Sequence, residues 1–219
     1  RRNREGTVRP DGPAEDCVLG MWDLAPVRRE GDLIHGRAVD DLGGVAAMLA
    51  TLEELAVEED ALDVIMVFTR AEEAGFRGAL LLCLDDERER MLPEASLVIS
   101  VETSSQRLSA KVGEGAVLRV GDKTTIFDPG ICRELQIASQ RIAEEGLCRP
   151  LARVLMDGGT CEATAFNQFG YRAGGVCLPL GNYHNMNRER GRIEEEYISQ
   201  RDAEDLVKVM AELVRRSGR

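Results

Sequence analysis

Val64-Ile65-Met66-Val67-Phe68 runs directly into Thr69-Arg70-Ala71-Glu72-Glu73-Ala74-Gly75-Phe76-Arg77-Gly78-Ala79. A short apolar run of this kind predicts a buried strand, and the Glu-Glu pair then sits at its C-terminal end. In open α/β sheets, ligands bind at that end. Successive residues there point in different directions, so one carboxylate can hold a cation while its neighbour faces a water molecule. Metal-assisted hydrolysis uses such a pair, with one fixed ligand and one general base. The same pair also suits a solvated helix start, where carboxylates meet the positive end of the dipole.

Three further segments bring chemistry to comparable places. Gly36-Arg37-Ala38-Val39-Asp40-Asp41-Leu42-Gly43-Gly44 precedes a helical apolar pattern, so Asp40 and Asp41 stand at a helix entrance. Capping needs only one of them. Ser96-Leu97-Val98-Ile99-Ser100-Val101-Glu102 reads as a second buried strand that ends on a carboxylate. Leu178-Pro179-Leu180-Gly181-Asn182-Tyr183-His184 places one of the two histidines in a loop after an apolar run. Gly158-Gly159-Thr160 offers backbone N–H groups at a helix start, which could hold a substrate carbonyl or an oxyanion, or could form a plain tight turn.

This order of Asp-Asp, Glu-Glu, Glu and His resembles the co-catalytic zinc aminopeptidases of the tetrahedral and glutamyl type, within a wider clan of zinc exopeptidases and deacylases. The residues that carry the resemblance are Gly36–Asp41, Phe68–Ala79, Val101-Glu102-Thr103, Gly158-Gly159-Thr160 and His184. It implies an α/β fold with a mixed, mostly parallel sheet flanked by helices. It implies that Asp40 bridges two metals and that a cis peptide to Asp41 orients it. It implies Glu72 as general base, Glu73 and His184 as ligands of one metal, and Glu102 as a ligand of the other. Gly158, Gly159 and Thr160 become substrate-binding candidates. Oxygen and imidazole ligands suit zinc, one or two ions, with cobalt or manganese as substitutes. The implied reaction is removal of N-terminal residues from peptides or small amides. Glu102, Asp157 and Glu162 are candidates for the substrate amine.

The family also has a His-x-Asp motif upstream of the Asp-Asp pair, and this chain contains none. His35 lacks motif support and reads as structural. The chain starts at Arg1. The expectation is a C-terminal piece of a longer protein, or else a member that lacks one metal site, and this chain by itself is expected to bind at most one metal well and to be weak or inactive as a peptidase. Residues 1–32 then read as the end of an inserted β-rich lid, with a strand-like stretch at Cys17–Leu24, and residues 33–219 as the catalytic domain. Two alternatives remain open. A deacylase or carboxypeptidase of the same clan would grip a carboxylate with arginine, for which Arg119 and Arg192 are candidates. An inactive relative would serve as a binding or assembly subunit.

Composition narrows the classes further. The chain has 219 residues and a net charge of -11, from 28 basic against 39 acidic residues, which argues against a nucleic-acid groove. No apolar run reaches the roughly 20 residues of a membrane span. Six scattered cysteines without a Cys-x-x-Cys pair suit reduced thiols in a cytoplasmic protein. The family often forms dimers or twelve-subunit shells, so the resemblance leaves a homo-oligomer open. Helices are expected at Gly43–Val57, Phe76–Arg88, Ile131–Glu145, Cys161–Phe169 and Asp202–Arg215. In the last of these, Leu206, Val209, Met210 and Leu213 form one apolar face. Strands are expected from Leu33 and at Val64–Phe68, Leu97–Glu102, Ala116–Val120, Ala152–Met156 and Arg172–Leu178.

Overall fold

The computed structural model describes residues 21–58, 62–84, 92–93 and 96–217. Its elements are β1 (Val27–Glu30), β2 (Leu33–Gly36), α1 (Val39–Leu55), α2 (Arg77–Leu84), β3 (Leu97–Ser105), β4 (Val117–Gly121) and α3 (Pro129–Glu144). They continue with β5 (Ala152–Leu155), α4 (Glu162–Gln168), β6 (Arg172–Leu180), β7 (Met186–Asn187), β8 (Arg192–Ile193), β9 (Glu196–Ser199) and α5 (Gln200–Ser217). A four-stranded sheet has the order β3-β6-β4-β5. β3 runs parallel to β6, β6 antiparallel to β4, and β4 parallel to β5. This is the mixed, mostly parallel α/β sheet expected.

Local chemistry accounts for several boundaries. α3 starts at Asp128-Pro129: the Asp128 carboxylate accepts from Ile131 N at 2.8 Å, and Pro129 occupies a first-turn position where no N–H is needed. Leu206, Val209, Met210 and Leu213 of α5 are all buried, and α5 contacts both α1 and α3. Each such side chain gains roughly 1.5–3 kcal/mol by leaving water. α1 comes close to β3 and β9 at Gly43, where a Cβ would stand 3.1 Å from Ile198 and 3.2 Å from Thr103.

A second, three-stranded antiparallel sheet, β1-β2-β9, joins chain segments far apart in sequence. Gly36 of β2 stands opposite Glu196 of β9. On its other side, β9 meets the end of β6 through a bridge between Gly181 and Tyr197, with N–H···O distances of 2.8 and 3.2 Å. β1, β9 and the small β7–β8 hairpin lay outside the expected elements.

One expectation is corrected. Val64–Phe68 is not a strand: residues 62–69 have no ladder partner among the described residues. Ile65 and Phe68 remain about half exposed. The outer edge of β3 is equally unpaired among the described residues. An apolar run supplies side chains for a strand, but backbone pairing needs a neighbour. In the Cys17–Leu24 stretch, residues 17–20 lie outside the described residues and 21–24 form no strand. The expected helix at Phe76–Arg88 is observed as Arg77–Leu84, and 85–88 lie outside the described residues.

Asp202, at the start of α5, is fully buried. Its carboxylate accepts from Gly113 N at 2.7 Å, Gly115 N at 2.9 Å and Arg149 Nη2 at 2.9 Å. It thus ties the Gly113-Glu114-Gly115 turn to the helix. Asp202→Ala leaves two amides and a guanidinium without this acceptor, and should cost about 3–5 kcal/mol, the range for breaking a buried pair. Urea unfolding checks this, with Asp202→Asn expected to lose less.

Candidate metal centre

The Glu72-Glu73 pair sits in a tight turn rather than on a strand. Gly75 N and Phe76 N donate to Glu72 O at 3.0 and 2.9 Å, and Gly78 N donates to Arg70 O at 3.0 Å. Ala71 and Phe76 hold left-handed conformations, with φ of 59° and 56°. A Cβ at Gly78 would stand 2.7 Å from Arg70 N, so only glycine lets the turn close this tightly. Asp40 and Asp41 interrupt the start of α1 with non-helical angles, and the peptide bond between them is cis. His184 follows β6 in a short 3₁₀ turn, in which Asn182, His184 and Asn185 have φ of 51°, 57° and 58°. Non-glycine residues held this way cost of order 1–3 kcal/mol each and tend to mark functional sites.

These three loops converge. Asp40, Glu73 and His184 each offer one ligand atom, and all three atoms lie within 4.8 Å of one another. His184 Nε2 is 3.4 Å from Glu73 Oε1 and 3.8 Å from Asp40 Oδ2. Tetrahedral ligands with bonds of about 2 Å stand about 3.3 Å apart, so the donor set fits a single ion with small adjustments. Thr103 Oγ1 donates to Asp40 Oδ1 at 2.9 Å, which orients the carboxylate. Tyr183 stacks on the His184 ring at 3.9 Å.

Glu102 stands outside this group of three. Its carboxylate accepts from Ser100 Oγ at 2.8 Å and faces the buried Arg119 guanidinium at 3.8 Å. Arg119 is thereby engaged, and Arg192 is paired with Glu194. Neither stands free as a grip for a substrate carboxylate. His35 is buried on β2, its Nδ1 3.2 Å from the Arg28 guanidinium and its ring against that of Tyr197.

A cavity of about 790 Å³ opens beside the centre. Asp40, Asp41, Glu72, Glu73, Glu102 and Glu162 line it, and residues 62–69 and the start of β3 form its apolar part. Gly158, Gly159 and Thr160 are not among its lining residues. Their loop is held from beneath: Lys123 N donates to Gly159 O at 3.0 Å, and Cys161 N to Asp122 Oδ2 at 3.1 Å. Asp157 is exposed, with Arg107 at 3.5 Å. Glu162 accepts from Thr69 Oγ1 at 2.6 Å. The five described cysteines are free, and Cys132, Cys161 and Cys177 are buried.

So many acids with so little positive charge alter one another. Burial, then Glu102, Glu73 and Glu162, push the Glu72 carboxyl up to about 8. Burial, then Glu102 and Asp40, push Asp41 up to about 9. Asp40 is raised to about 6, chiefly by burial and against the Thr103 hydrogen bond. Glu102 is raised to about 7 by burial, which Arg119 and Ser100 partly offset. A divalent cation would favour the ionised form of each group.

The sequence reading missed two partners in the site, Thr103 and Glu196. Glu196 Oε2 accepts from Asp40 N at 3.0 Å. Glu196 belongs to the run Glu194-Glu195-Glu196, which looks like a solvated acidic stretch, and only the strand-like Tyr197-Ile198 after it hints that one of the three turns inward.

Comparison with known proteins gives the family and the fold. The description of the M42 glutamyl aminopeptidases matches residues 19–195. The chain belongs to that family. The TET1 peptidase of Pyrococcus horikoshii, which can assemble into a tetrahedron or a large octahedral shell, superposes with a TM-score of 0.69 at 22% identity, over 84% of this chain and 51% of that one. An aminopeptidase of the archaeon Desulfurococcus kamchatkensis gives 0.67 at 25% identity, over 86% and 51%. A curated protein of Acetivibrio thermocellus with a provisional aminopeptidase name is 23% identical over 190 residues, 84% of this chain and 52% of its own length. The M42 chain thus spans about half the length of these relatives. Among its described residues, no helix is long and apolar enough to cross a membrane.

A carboxyl with a raised folded pKa is one that the fold keeps protonated. Its stabilising effect is complete below the unfolded value of about 4 and is lost as pH rises through the folded value. For the metal-free chain, stability should therefore fall as pH rises through about 6 for Asp40, 7 for Glu102 and 8 for Glu72. Thermal melts with chelator across this window check it. Added Zn²⁺ should restore the midpoint most at the alkaline end, and a midpoint that stays flat would contradict the reading.

Proposed function

We propose that this chain carries the catalytic centre of a metal-dependent aminopeptidase that removes N-terminal residues from peptides or small amides. The observation that supports it most is the convergence of Asp40, Glu73 and His184 within 4.8 Å, with Glu72 next to Glu73 in the same turn. Asp40, Glu73 and His184 would hold the ion, and their oxygen and nitrogen donors suit zinc, with cobalt or manganese as substitutes. When bound, such an ion supplies Lewis acidity to the scissile carbonyl and acidifies water.

Glu72 is the group to take the proton from that water and pass it to the leaving amine. A carboxyl raised to about 8 lies near the working range of a group that both accepts and donates a proton. Asp41 stays protonated at neutral pH in the metal-free chain, being raised to about 9, and its Oδ1 accepts from Gly44 N at 3.3 Å. The role of Asp41 is to hold Asp40 in place. Glu162, lining the cavity and fixed by Thr69, is the best placed acid for the substrate amine. Asp157, already facing Arg107, is less suited. Gly158, Gly159 and Thr160, outside the cavity lining, are less suited to act on substrate. A cytoplasmic location and assembly of identical copies complete the proposal, the latter on the precedent of the Pyrococcus protein.

Two ions would need a second ligand set, and Asp40 with Glu102 is a thin one, because Glu102 already faces Arg119. The chain should therefore hold one ion tightly. Metal analysis after gel filtration of the zinc-loaded chain checks this, and two retained ions per chain would overturn it.

Hydrolysis of an amino-acid anilide with a free amine, set against its N-acetylated form, separates an aminopeptidase from a deacylase. With variants assayed side by side against wild type, Glu72→Gln should lower turnover by at least about 100-fold with metal content retained. Glu73→Gln should instead weaken metal binding. Near-full turnover in Glu72→Gln would remove Glu72 as the base.

A further inference from the structure

The two loops that deliver Asp40 and His184 come from opposite ends of the chain, and one short stretch of β9 lies between them. On one side its residue Glu196 pairs in register with Gly36, just upstream of the Asp40 loop. On the other side Tyr197 exchanges two backbone hydrogen bonds with Gly181, just upstream of the His184 turn. Gly181 has no room for a side chain, since a Cβ there would run into the Tyr197 ring. Asn182 Nδ2 adds a bond to Glu195 O at 2.8 Å. The backbone of β9 therefore fixes where each loop begins.

The Glu196 side chain continues this link into the Asp40 loop itself. It is 3% exposed and turns inward. Its carboxylate accepts from Asp40 N at 3.0 Å. This bond ties the Asp40 loop to β9, and the Gly181–Tyr197 bridge ties β9 to the start of the His184 turn. Among the described residues no lysine or arginine forms an ion pair with it. A buried carboxylate is costly unless it is hydrogen-bonded, and the Asp40 amide supplies a charge-assisted bond. Left-handed Asn182, His184 and Asn185 likewise persist only where their surroundings over-determine them.

We infer that Glu196 is a positioning residue that locks the Asp40 loop, through the Asp40 amide, to the strand bridged to the start of the His184 turn, so that the two ligands stand ready for one ion. The inference rests on the reading of Asp40, Glu73 and His184 as metal ligands and deepens it. Glu196 touches neither ion nor substrate. It acts by presetting the 3.8 Å approach of His184 Nε2 to Asp40 Oδ2.

Two measurements on the 219-residue chain test it. The first is Co²⁺ titration followed by visible absorption, using wild type, Glu196→Ala, Glu196→Gln, Glu195→Gln and His184→Ala. Glu196→Ala should lose about 10- to 100-fold in Co²⁺ affinity, as for other residues that orient ligands, and should alter the visible bands. Glu196→Gln keeps one acceptor oxygen and should lose less. Glu195→Gln should match wild type. The second is residue-resolved amide exchange without metal: Asp40 should lose protection in Glu196→Ala while the amides of β3 and β6 keep theirs. If Glu196→Ala does not fold, Glu196→Gln should show the Asp40 amide weakened. Wild-type Co²⁺ affinity and unchanged protection in the Glu196 variants would overturn the inference. If wild type and His184→Ala bind Co²⁺ alike, the metal reading falls instead, and the exchange pattern still decides whether Glu196 holds the Asp40 loop.

Discussion

Carboxylate crowding around Asp40 is the constraint on which the rest of this structure depends. Burial and mutual repulsion hold Asp40, Asp41, Glu72 and Glu102 above their ordinary range, and Arg119 is the buried guanidinium that faces Glu102. Placing like charges close together in a partly buried space is unfavourable, and it is tolerated where a cation or a proton compensates. Protons compensate the crowding in the metal-free chain, and in the proposed reading a metal ion would take their place.

The scaffold holds this arrangement through backbone connections. β3 and β6 run parallel and in register from Leu97 opposite Arg172 to Ser105 opposite Leu180, which brings Glu102 and the His184 turn to the same end of the sheet. β2, β9 and the β6 terminus form a continuous set of ladders that brings Asp40 to that end as well. Tight turns at Glu72 and His184, with left-handed non-glycine residues, then aim the side chains. Strain of this kind at the candidate ligands, against regular packing in α3, α5 and β6, follows the usual division between site and support.

Membership in the M42 family fits the fold of the described residues. The chain covers about half the length of its relatives. Within that span Asp40, Glu73 and His184 form a three-donor centre, whereas Glu102 is turned toward Arg119. Relatives between 22% and 25% identical thus share a backbone with this chain, while the balance of charge around each acid is set by its own side chains.

The sequence alone determined the kinds of groups and their local settings. The helix expected at Ile131–Glu145 is α3, which starts two residues earlier at Pro129, the spacing of Leu206, Val209, Met210 and Leu213 announced the buried face of α5, and the acids and His184 were legible beside glycines and apolar runs. Those signals are local, arising from capping, periodicity and turn chemistry within a few residues. Tertiary structure decided which acids share a centre, which one meets Arg119, and that Glu196 rather than Glu194 or Glu195 turns inward. It also decided that Val64–Phe68, apolar as it is, has no strand beside it among the described residues. Pairing and electrostatic balance depend on neighbours brought together from distant parts of the chain, and a local pattern of residue types does not specify those neighbours.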